Sequence, residues 1–443
     1  MRTIGIDIGT TTISGVVLEK NGTQKARILE VKTIENGSFL TTANDWERIQ
    51  DAENIVKKSR QMLDDFLERY PEVEIIGLTG QMHGIVYIDK EGTCVSPLYT
   101  WKDARGSLCE GNHGSLAEEI QQTCKVQAAS GYGMVTHIYN LRHDLIPDTA
   151  VSFCTIMDYF GMQLTGRKEA LVHASNAASF GFFDAQKNAF MTGKLAKMGV
   201  EEPWLPEVCT GIEALGSYRE RIVTVAIGDN QASFLGATGN EKNTLLVNMG
   251  TGGQISVLSD QYFTAEGIEA RPFLQGAYLL AGSSLCGGKA YALLEKFFRE
   301  FMKAATGQEE PLYKTLEKLA RDGKASCAGK EEKQRLQIET TFDGTRVHPE
   351  QSGSITNLCA ENFTPAAFVY GTLEGMSREL YQMYQTIQNG TGMKIKRMIG
   401  SGNGLRKNPV LCEIVEEMFG AKLVLARCEE EAATGAAVSS MQQ

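Results

Sequence analysis

The stretch TIGIDIGTTTISGVVLEKNG (residues 3–22) decides the fold. An apolar run leads to Asp7, Gly9 and three threonines follow, and a second apolar run leaves the turn. β-Branched residues on both sides of a Gly-Thr turn read as two strands joined in a hairpin. Far downstream the pattern returns in TLLVNMGTGGQISVLSD (244–260), where NMGT (248–251) echoes DIGT (7–10) at an offset of 241 residues. A single Gly-Thr hairpin is commonplace. Two of them, one early in each half, indicate a duplicated architecture with a ligand held between two lobes.

The segments around these hairpins read as alternating strands and helices. Ile55, Met62, Leu63, Phe66, Leu67 and Tyr70 recur at helical spacing across 51–70, and Pro71 stops the run. VEIIGLTGQ (73–81) returns as a buried strand. In the second half, AGSSLCGGKAYALLEKFF (281–298) is a Gly-rich loop feeding an amphipathic helix. In IGSGNGLRKNPVLCEIVEEMFGAKL (399–423), Val410, Leu411, Ile414, Val415, Met418 and Phe419 form one helical face ended by Gly420. The charged segment 305–335 reads as a surface helix and loop without chemistry of its own. The expected division is an N-terminal lobe of 1–226 and a C-terminal lobe of 227–443, in an α/β fold.

Composition narrows the function. With 443 residues, 42% of them apolar and 22% charged, the chain is too long for one ordinary core and reads as a globular protein. The net charge of −10, without a basic run, excludes a nucleic-acid surface and gives no electrostatic pull toward an anionic membrane. Ten cysteines lie scattered with no C-x-x-C pair, which fits free thiols in a reducing compartment. Asp7 interrupts the N-terminal run where a secretion signal needs an apolar stretch, and 243–259 is broken by Gly, Asn and Gln. A cytoplasmic protein, neither spanning nor resting on a membrane, is expected.

The chemistry centres on VAIGDNQASFLGAT (225–238), where a strand runs through Gly228 into Asp229 and then into a helix. Asp229 is either the cap of that helix or a general base. Neither a P-loop nor a G-x-G-x-x-G fingerprint occurs, so a phosphate ligand would rest on the two Gly-Thr hairpins. Asp7 stands beside the first hairpin, where a carboxylate can hold Mg²⁺ directly or through water. Phosphoryl transfer needs alignment, charge neutralisation and one group to accept the hydroxyl proton. Asp229 fits that last task.

The set DIGTTT, GLTGQMHG, TWKDAR, GDNQAS, NMGTGG and GSGNG, in this order, resembles the FGGY carbohydrate kinases over nearly the whole chain, to the EEEAATGAAV tail at 429–438. That resemblance implies two ribonuclease H-like lobes of the actin and hexokinase type with a central cleft. It implies an ATP- and Mg²⁺-dependent kinase, and details such as SGYGMVTHIYNL and SNAASFGFFD point to ketoses, sedoheptulose before xylulose or ribulose. By position, Asp229 matches the family's catalytic base and Asp7 its metal-associated aspartate. Thr10, Thr11 and Thr12 match the first phosphate loop and Gly250, Thr251 and Gly252 the second. Gly287 and Gly288 fall where the family lines the nucleotide cleft, and Gly400, Gly402 and Asn403 match its adenosine motif. Gln81, Met82, His83, Trp101, Asp103, Tyr132 and Asn230 fall where sugar contacts lie, with Arg105 either bracing Asp103 or touching sugar. A homodimer is compatible with the family. Three positions depart from its pattern: Ser14 replaces the usual basic end of the first phosphate loop, Thr345 replaces a glutamate, and the second loop reads Gly-Thr-Gly-Gly.

Overall fold

The computed structural model describes residues 1–21, 26–109, 114–239, 241–426 and 430–443, with 332 described by its backbone alone. Gly22, at the end of the expected first hairpin, and Glu429, which opens the C-terminal tail motif, lie outside the described residues. Two compact units form: Met1–Asn240 with Arg271–Ala277 and Cys428–Gln443, and Glu241–Ala270 with Tyr278–Arg427.

The first unit is built on the expected hairpin. β1 (Arg2–Ile8) and β2 (Thr12–Glu19) pair antiparallel, and β3 (Arg27–Glu35) adds to β2. Helix α1 (Ala52–Arg69) follows, capped by Asp51, whose side chain accepts from the Asn54 N–H. Its buried face carries Ile55, Met62, Leu63, Phe66 and Leu67, as the periodicity predicts. Gly15 lets this face approach the sheet: a Cβ there would lie 2.4 Å from the Phe66 ring and 2.8 Å from the Met62 sulfur. Burying such side chains contributes about 1.5–3 kcal/mol each. β4 (Val73–Gly80) then lies parallel to β1.

Three helices of the first unit bear on the site: α2 (Gly133–Arg142), α3 (Ile156–Thr165) and α4 (Ala174–Ser179). The sheet is completed by β5 (Ala214–Tyr218), β6 (Arg221–Thr224) and the short β7 (Ile227–Gly228), which runs into α5 (Asp229–Thr238). Its order is β5-β6-β4-β1-β2-β3, with β7 also on β4. Because β7 pairs with β4, the stretch 227–238 belongs to the first unit. The boundary therefore follows α5, rather than preceding it at 226/227.

The second unit repeats the pattern. β8 (Thr244–Met249) and β9 (Gly253–Ser259) form the antiparallel hairpin, and β10 (Ile268–Pro272) and β11 (Tyr278–Ser284) extend that side. Helices α6 (Gly287–Thr306), α7 (Tyr313–Cys327) and α8 (Pro365–Thr391) come next. β12 (Arg397–Ser401) pairs parallel with β8, α9 (Pro409–Phe419) follows, and β13 (Leu423–Leu425) closes the order β10-β11-β9-β8-β12-β13. A hairpin with a parallel strand beside its first member is thus present twice. α9 buries Val410, Leu411, Ile414, Val415 and Phe419 and ends at Gly420 with φ of 63°. α7 is the helix within the charged 305–335 segment.

The last helix, α10 (Glu431–Ser440), returns to the first unit and shows why the tail is written in Ala and Gly. A Cβ on Gly435 would lie 1.7 Å from the Ala232 carbonyl oxygen of α5, and one on Gly236 would lie 1.9 Å from that of Glu431. Against the sheet, Gly5 faces the Ala433 oxygen at 1.9 Å and Gly77 the Ala436 oxygen at 2.0 Å by the same measure. Backbone meets backbone at all four places, so no rotamer change relieves a clash. Gly435→Ala is expected to destabilise the protein by about 1–3 kcal/mol in urea unfolding, despite the better helix propensity of alanine. Unchanged stability would mean that α5 and α10 can separate freely. Among the described residues no helix is long and apolar enough to cross a membrane.

Candidate active site

The carboxyl ends of the parallel strands bring Asp7 and Asp229 to either side of one strand. Asp7, near the end of β1, is level with Thr79 of β4, and on the other side Ile227 of β7 is level with the same Thr79. Open α/β sheets bind ligands at such ends. Both carboxyls keep partial solvent access, yet protein surrounds them. Burial raises Asp229 to about 6, opposed by the positive charge of Arg271 and by hydrogen bonds from Asn230. Burial also raises Asp7 to about 7, and the negative charges of Asp229 and Glu430 add to the rise. Asp229 does not cap its helix: Gly228 is the cap, without a side-chain bond.

Asp229 connects to the sequence-predicted sugar residues through its neighbour. Asn230 Nδ2 donates to Asp229 Oδ1 at 2.8 Å and lies 3.6 Å from the Met82 sulfur. Gly228 permits this approach, since a Cβ there would sit 2.8 Å from the Met82 sulfur and methyl. Next along the chain, His83 adopts φ of 72°, donates Nδ1–H to the Ser179 carbonyl at 2.7 Å, and stacks on Tyr132 with ring centroids 4.8 Å apart. The carbonyl can only accept, so in the neutral ring Nε2 carries the lone pair. Tyr132 reaches this place between two glycines. A Cβ on Gly131 would fall 1.8 Å from the Trp101 oxygen, and one on Gly133 would fall 2.8 Å from the His83 oxygen.

Trp101 is 47% exposed, and its indole N–H donates to Thr10 Oγ1 at 2.9 Å. Thr10 in turn donates to Gln81 Oε1, Gln81 Nε2 to Gln50 Oε1, and Gln50 Nε2 to the Thr10 carbonyl. This ring of bonds ties the first Gly-Thr turn to the indole. It also uses both ends of Gln81, which is buried. Thr11 and Thr12 are exposed on the same turn.

Asp103 sits differently from a ligand contact. It is 1% exposed, Oδ1 accepts from the Arg105 N–H and Nε, and Oδ2 accepts from the Arg48 N–H and Arg105 Nη2. Arg105 is itself buried, stacks over Tyr99 at 4.3 Å and bonds Asn140. The pair braces the loop that presents Trp101, so neither is positioned to meet a sugar. Ser14, at the position expected to be basic, is buried on β2 opposite Asp7 and bonds Thr33, which bonds Glu430.

The second unit gathers the nucleotide-type residues. At the β8–β9 turn, Gly250 N–H bonds the Gly252 oxygen at 2.9 Å. The start of α6 docks onto it, with Gly288 N–H to the Gly250 oxygen and Lys289 N–H to the Thr251 oxygen. A Cβ on Gly287 would lie 2.4 Å from the Gly252 carbonyl carbon, and one on Gly288 2.4 Å from the Gly250 oxygen. Gly402, with φ of 85°, leaves a Cβ position 2.5 Å from the Met249 oxygen, which sets Asn403 beside the end of β8. Gly400 lies inside β12 among Leu405, Leu423 and Leu425 and serves packing. Thr251 and Gly250 are exposed, as a phosphate-facing turn requires.

Arg271 is the group at this site that no motif revealed, and Glu430, though inside the tail motif at 429–438, takes no role from that motif. Each lies far from the carboxylates in sequence and reaches them through the fold. Among the described residues no three His, Cys, Asp or Glu side chains converge at metal-ligand distance. Asp7, facing the charges of Asp229 and Glu430, presents a carboxylate of the kind magnesium takes alongside water and substrate oxygens.

Comparison with known proteins agrees with this fold. The chain matches the N-terminal domain of the FGGY family of carbohydrate kinases over residues 2–246 and its C-terminal domain over 245–441. It belongs to that family and is a carbohydrate kinase, a phosphotransferase. A sedoheptulokinase of Mus musculus is 25% identical over 482 aligned residues, covering 100% of this chain and 97% of the relative. A xylulose kinase of Lactococcus lactis is 23% identical, covering 98% and 86%. Among solved structures, a xylulose kinase of Rhodospirillum rubrum superposes with a TM-score of 0.81 at 19% identity, covering 100% of this chain and 90% of that one.

Proposed function

We propose that this carbohydrate kinase transfers the γ-phosphoryl group of ATP to the terminal hydroxyl of a ketose, sedoheptulose first, in the cytoplasm. The observation that carries the reading is Asp229: a carboxylate with a raised pKa at a strand end, freed from capping and linked through Asn230 to Met82. Asp229 accepts the hydroxyl proton as the bond to phosphorus forms. His83, Tyr132, Trp101 and Asn230 seat the sugar, with Gln81 and Asp103 holding those groups from behind. The Gly250–Gly252 turn and Gly287–Gly288 take the nucleotide phosphates, and Gly402 and Asn403 border the adenosine. Asp7 would hold Mg²⁺, which neutralises phosphate charge when bound, and Thr10, Thr11 and Thr12 would meet the transferred phosphoryl group. ADP release measured over a panel of ketoses with ATP and Mg²⁺ tests the reading. Xylulose as the preferred substrate is the second reading, supported by the xylulose kinases among the relatives. Sugar binding without turnover would make the chain a regulator and sink the kinase assignment of Asp229.

The pH dependence follows from the two carboxylates. The general base must be ionised, so kcat falls as pH falls. Mg²⁺ beside Asp7 favours its carboxylate, which leaves the acid limb to Asp229 at about 6. A pH profile of kcat at saturating substrates checks this. A limb in the ordinary carboxylate range near ~4 would sink it.

Stability has the opposite sign. A carboxyl raised in the folded state stabilises below its unfolded pKa, and that contribution is lost as pH rises through about 7 for Asp7. Asp7→Asn is therefore expected to raise Tm at pH above 7 without Mg²⁺, and to abolish the further rise that Mg²⁺ gives the natural protein. A lower Tm in that variant would contradict the charge repulsion.

A further inference from the structure

Three successive carbonyls of the first Gly-Thr turn, those of Gly9, Thr10 and Thr11, are all engaged by one stretch of chain, residues 36–50. Asn36 takes two of them: its Nδ2 donates to the Gly9 oxygen at 2.8 Å and its backbone N–H to the Thr11 oxygen at 2.9 Å. Gln50 takes the third, with Nε2 donating to the Thr10 oxygen at 2.8 Å. Both side chains are fully buried. Turning either amide over would set oxygen against oxygen, so each orientation is fixed. Asn36 Oδ1 accepts from no described group, so the bond to Gly9 is the one hydrogen bond its side chain makes. The two ends of the stretch are tied together. Phe39 bridges Gln50, the Leu40 N–H donates to the Ile49 oxygen at 3.0 Å, and the Asp51 N–H donates to the Ser38 oxygen at 2.8 Å. Lys58 Nζ, from α1, and Ser38 Oγ both donate to the Asn36 carbonyl and hold that end in place.

We propose that residues 36–50 form a clamp on this turn, and that Asn36 and Gln50 are positioning residues for the transferred phosphoryl group. The inference rests on the reading that the turn meets that group. A trans peptide sets each carbonyl opposite the N–H that follows it. Holding the Gly9 and Thr10 carbonyls therefore turns the Thr10 and Thr11 N–H groups away from the clamp. Neither N–H donates to a described backbone group, and successive N–H groups left open in this way make an anion-binding concavity. Donors fixed before the reaction need no reorganisation during it. Ser14 leaves the turn without the basic end expected of it, so more of the phosphate contact falls to these N–H groups and their direction. Amides suit the clamp because they bind carbonyls without adding charge two residues from Asp7.

Asn36→Ala frees the Gly9 carbonyl and leaves the backbone bond to Thr11 in place. It is expected to lower kcat about tenfold or more, with ADP affinity and the KM for ketose within about twofold, as donors displaced by a fraction of an ångström would. Gln50→Ala frees the Thr10 carbonyl and also releases Gln81, so the same fall in kcat is expected with a raised KM for ketose. That variant carries the test should Asn36→Ala not fold. Circular dichroism fixes the folded fraction to which kcat is referred. Amide hydrogen exchange, followed residue by residue by NMR, reads the turn itself. In the natural protein the Thr10 and Thr11 N–H groups are expected to exchange rapidly. ADP, Mg²⁺ and aluminium fluoride, with sedoheptulose or xylulose, whichever turns over faster, are expected to protect them. In the folded variant that protection is expected to fall by about tenfold. Natural kcat or full protection there would overturn the clamp while leaving the phosphate role of the turn standing. Equal loss of ADP affinity, or loss of the fold in both variants, would also overturn it, because the amides would then serve the fold at large. An absence of protection in the natural protein would instead sink the reading of the turn, and the clamp with it.

Discussion

Asp229→Asn is expected to fold normally and bind nucleotide with unchanged affinity, while kcat falls by about 10² or more, the scale of a lost general base. The substitution keeps size and leaves Oδ1 to accept from Asn230 Nδ2. Helix α5 keeps its start, because Gly228 and not Asp229 is the cap. The variant also gives up a carboxylate that burial disfavours, so stability should hold or rise above pH 6. What disappears is the group that takes the hydroxyl proton, together with the negative charge facing Arg271. Nucleotide affinity is unaffected on this reading because the phosphate-type turn at Gly250–Gly252 belongs to the other unit. Steady-state kinetics and titration with ADP separate the two effects. Near-natural turnover would end the role of Asp229, and lost nucleotide affinity would mean that its charge shapes the phosphate site.

Local pattern made much of this legible. Two Gly-Thr hairpins announced two like sheets, since β-branched runs and a small turn form where they stand in sequence. α1 and α9 were legible because their apolar faces repeat at helical spacing and stop at Pro71 and Gly420. Burial that depends on distant chain was not legible. Asp103 looks like an exposed loop acid in TWKDAR, and only the fold brings the Arg48 N–H, 55 residues away, to complete its shell. Arg271 and Glu430 reach the carboxylates by tertiary placement; Arg271 has no motif to announce it, and the tail motif that contains Glu430 does not say where it packs. The boundary of the first unit eluded pattern for a related reason. A two-residue strand, Ile227–Gly228, is too short to show periodicity, yet its pairing with β4 assigns Asp229 to that unit.

Sedoheptulose is expected to exceed xylulose in kcat/KM by at least about 10². This expectation rests on the proposed seat of the sugar, an aromatic anchor at one end and Asp229 at the other. Trp101 spends its indole N–H on Thr10, so what it offers a sugar is an exposed apolar face. His83 spends Nδ1–H on Ser179 and is stacked on Tyr132, which fixes the direction in which Nε2 accepts. Asn230 stands beside the base itself. Each of these groups is tied by a hydrogen bond or by stacking, so the site is not expected to shorten to follow a smaller ligand. A five-carbon ketose seated on the indole and imidazole would leave its terminal hydroxyl short of Asp229 by two carbons, roughly 2.5 Å of extended chain. A five-carbon ketose seated at the base would instead abandon the aromatic end, giving up the Trp101 face and the His83 Nε2 contact. Sites built to bond hydroxyls reject ligands lacking them more strongly than apolar pockets reject a missing methylene. At ~1.4 kcal/mol per tenfold, two lost contacts correspond to about 10². Asp103 adds nothing to this difference, being fully engaged by Arg105 and Arg48, so Asp103→Asn should weaken both ketoses alike through the loop that carries Trp101. Equal or better use of xylulose would mean that the anchor lies nearer to Asp229 than His83 and Trp101, and would transfer the assignment to the pentulose kinases of the same family.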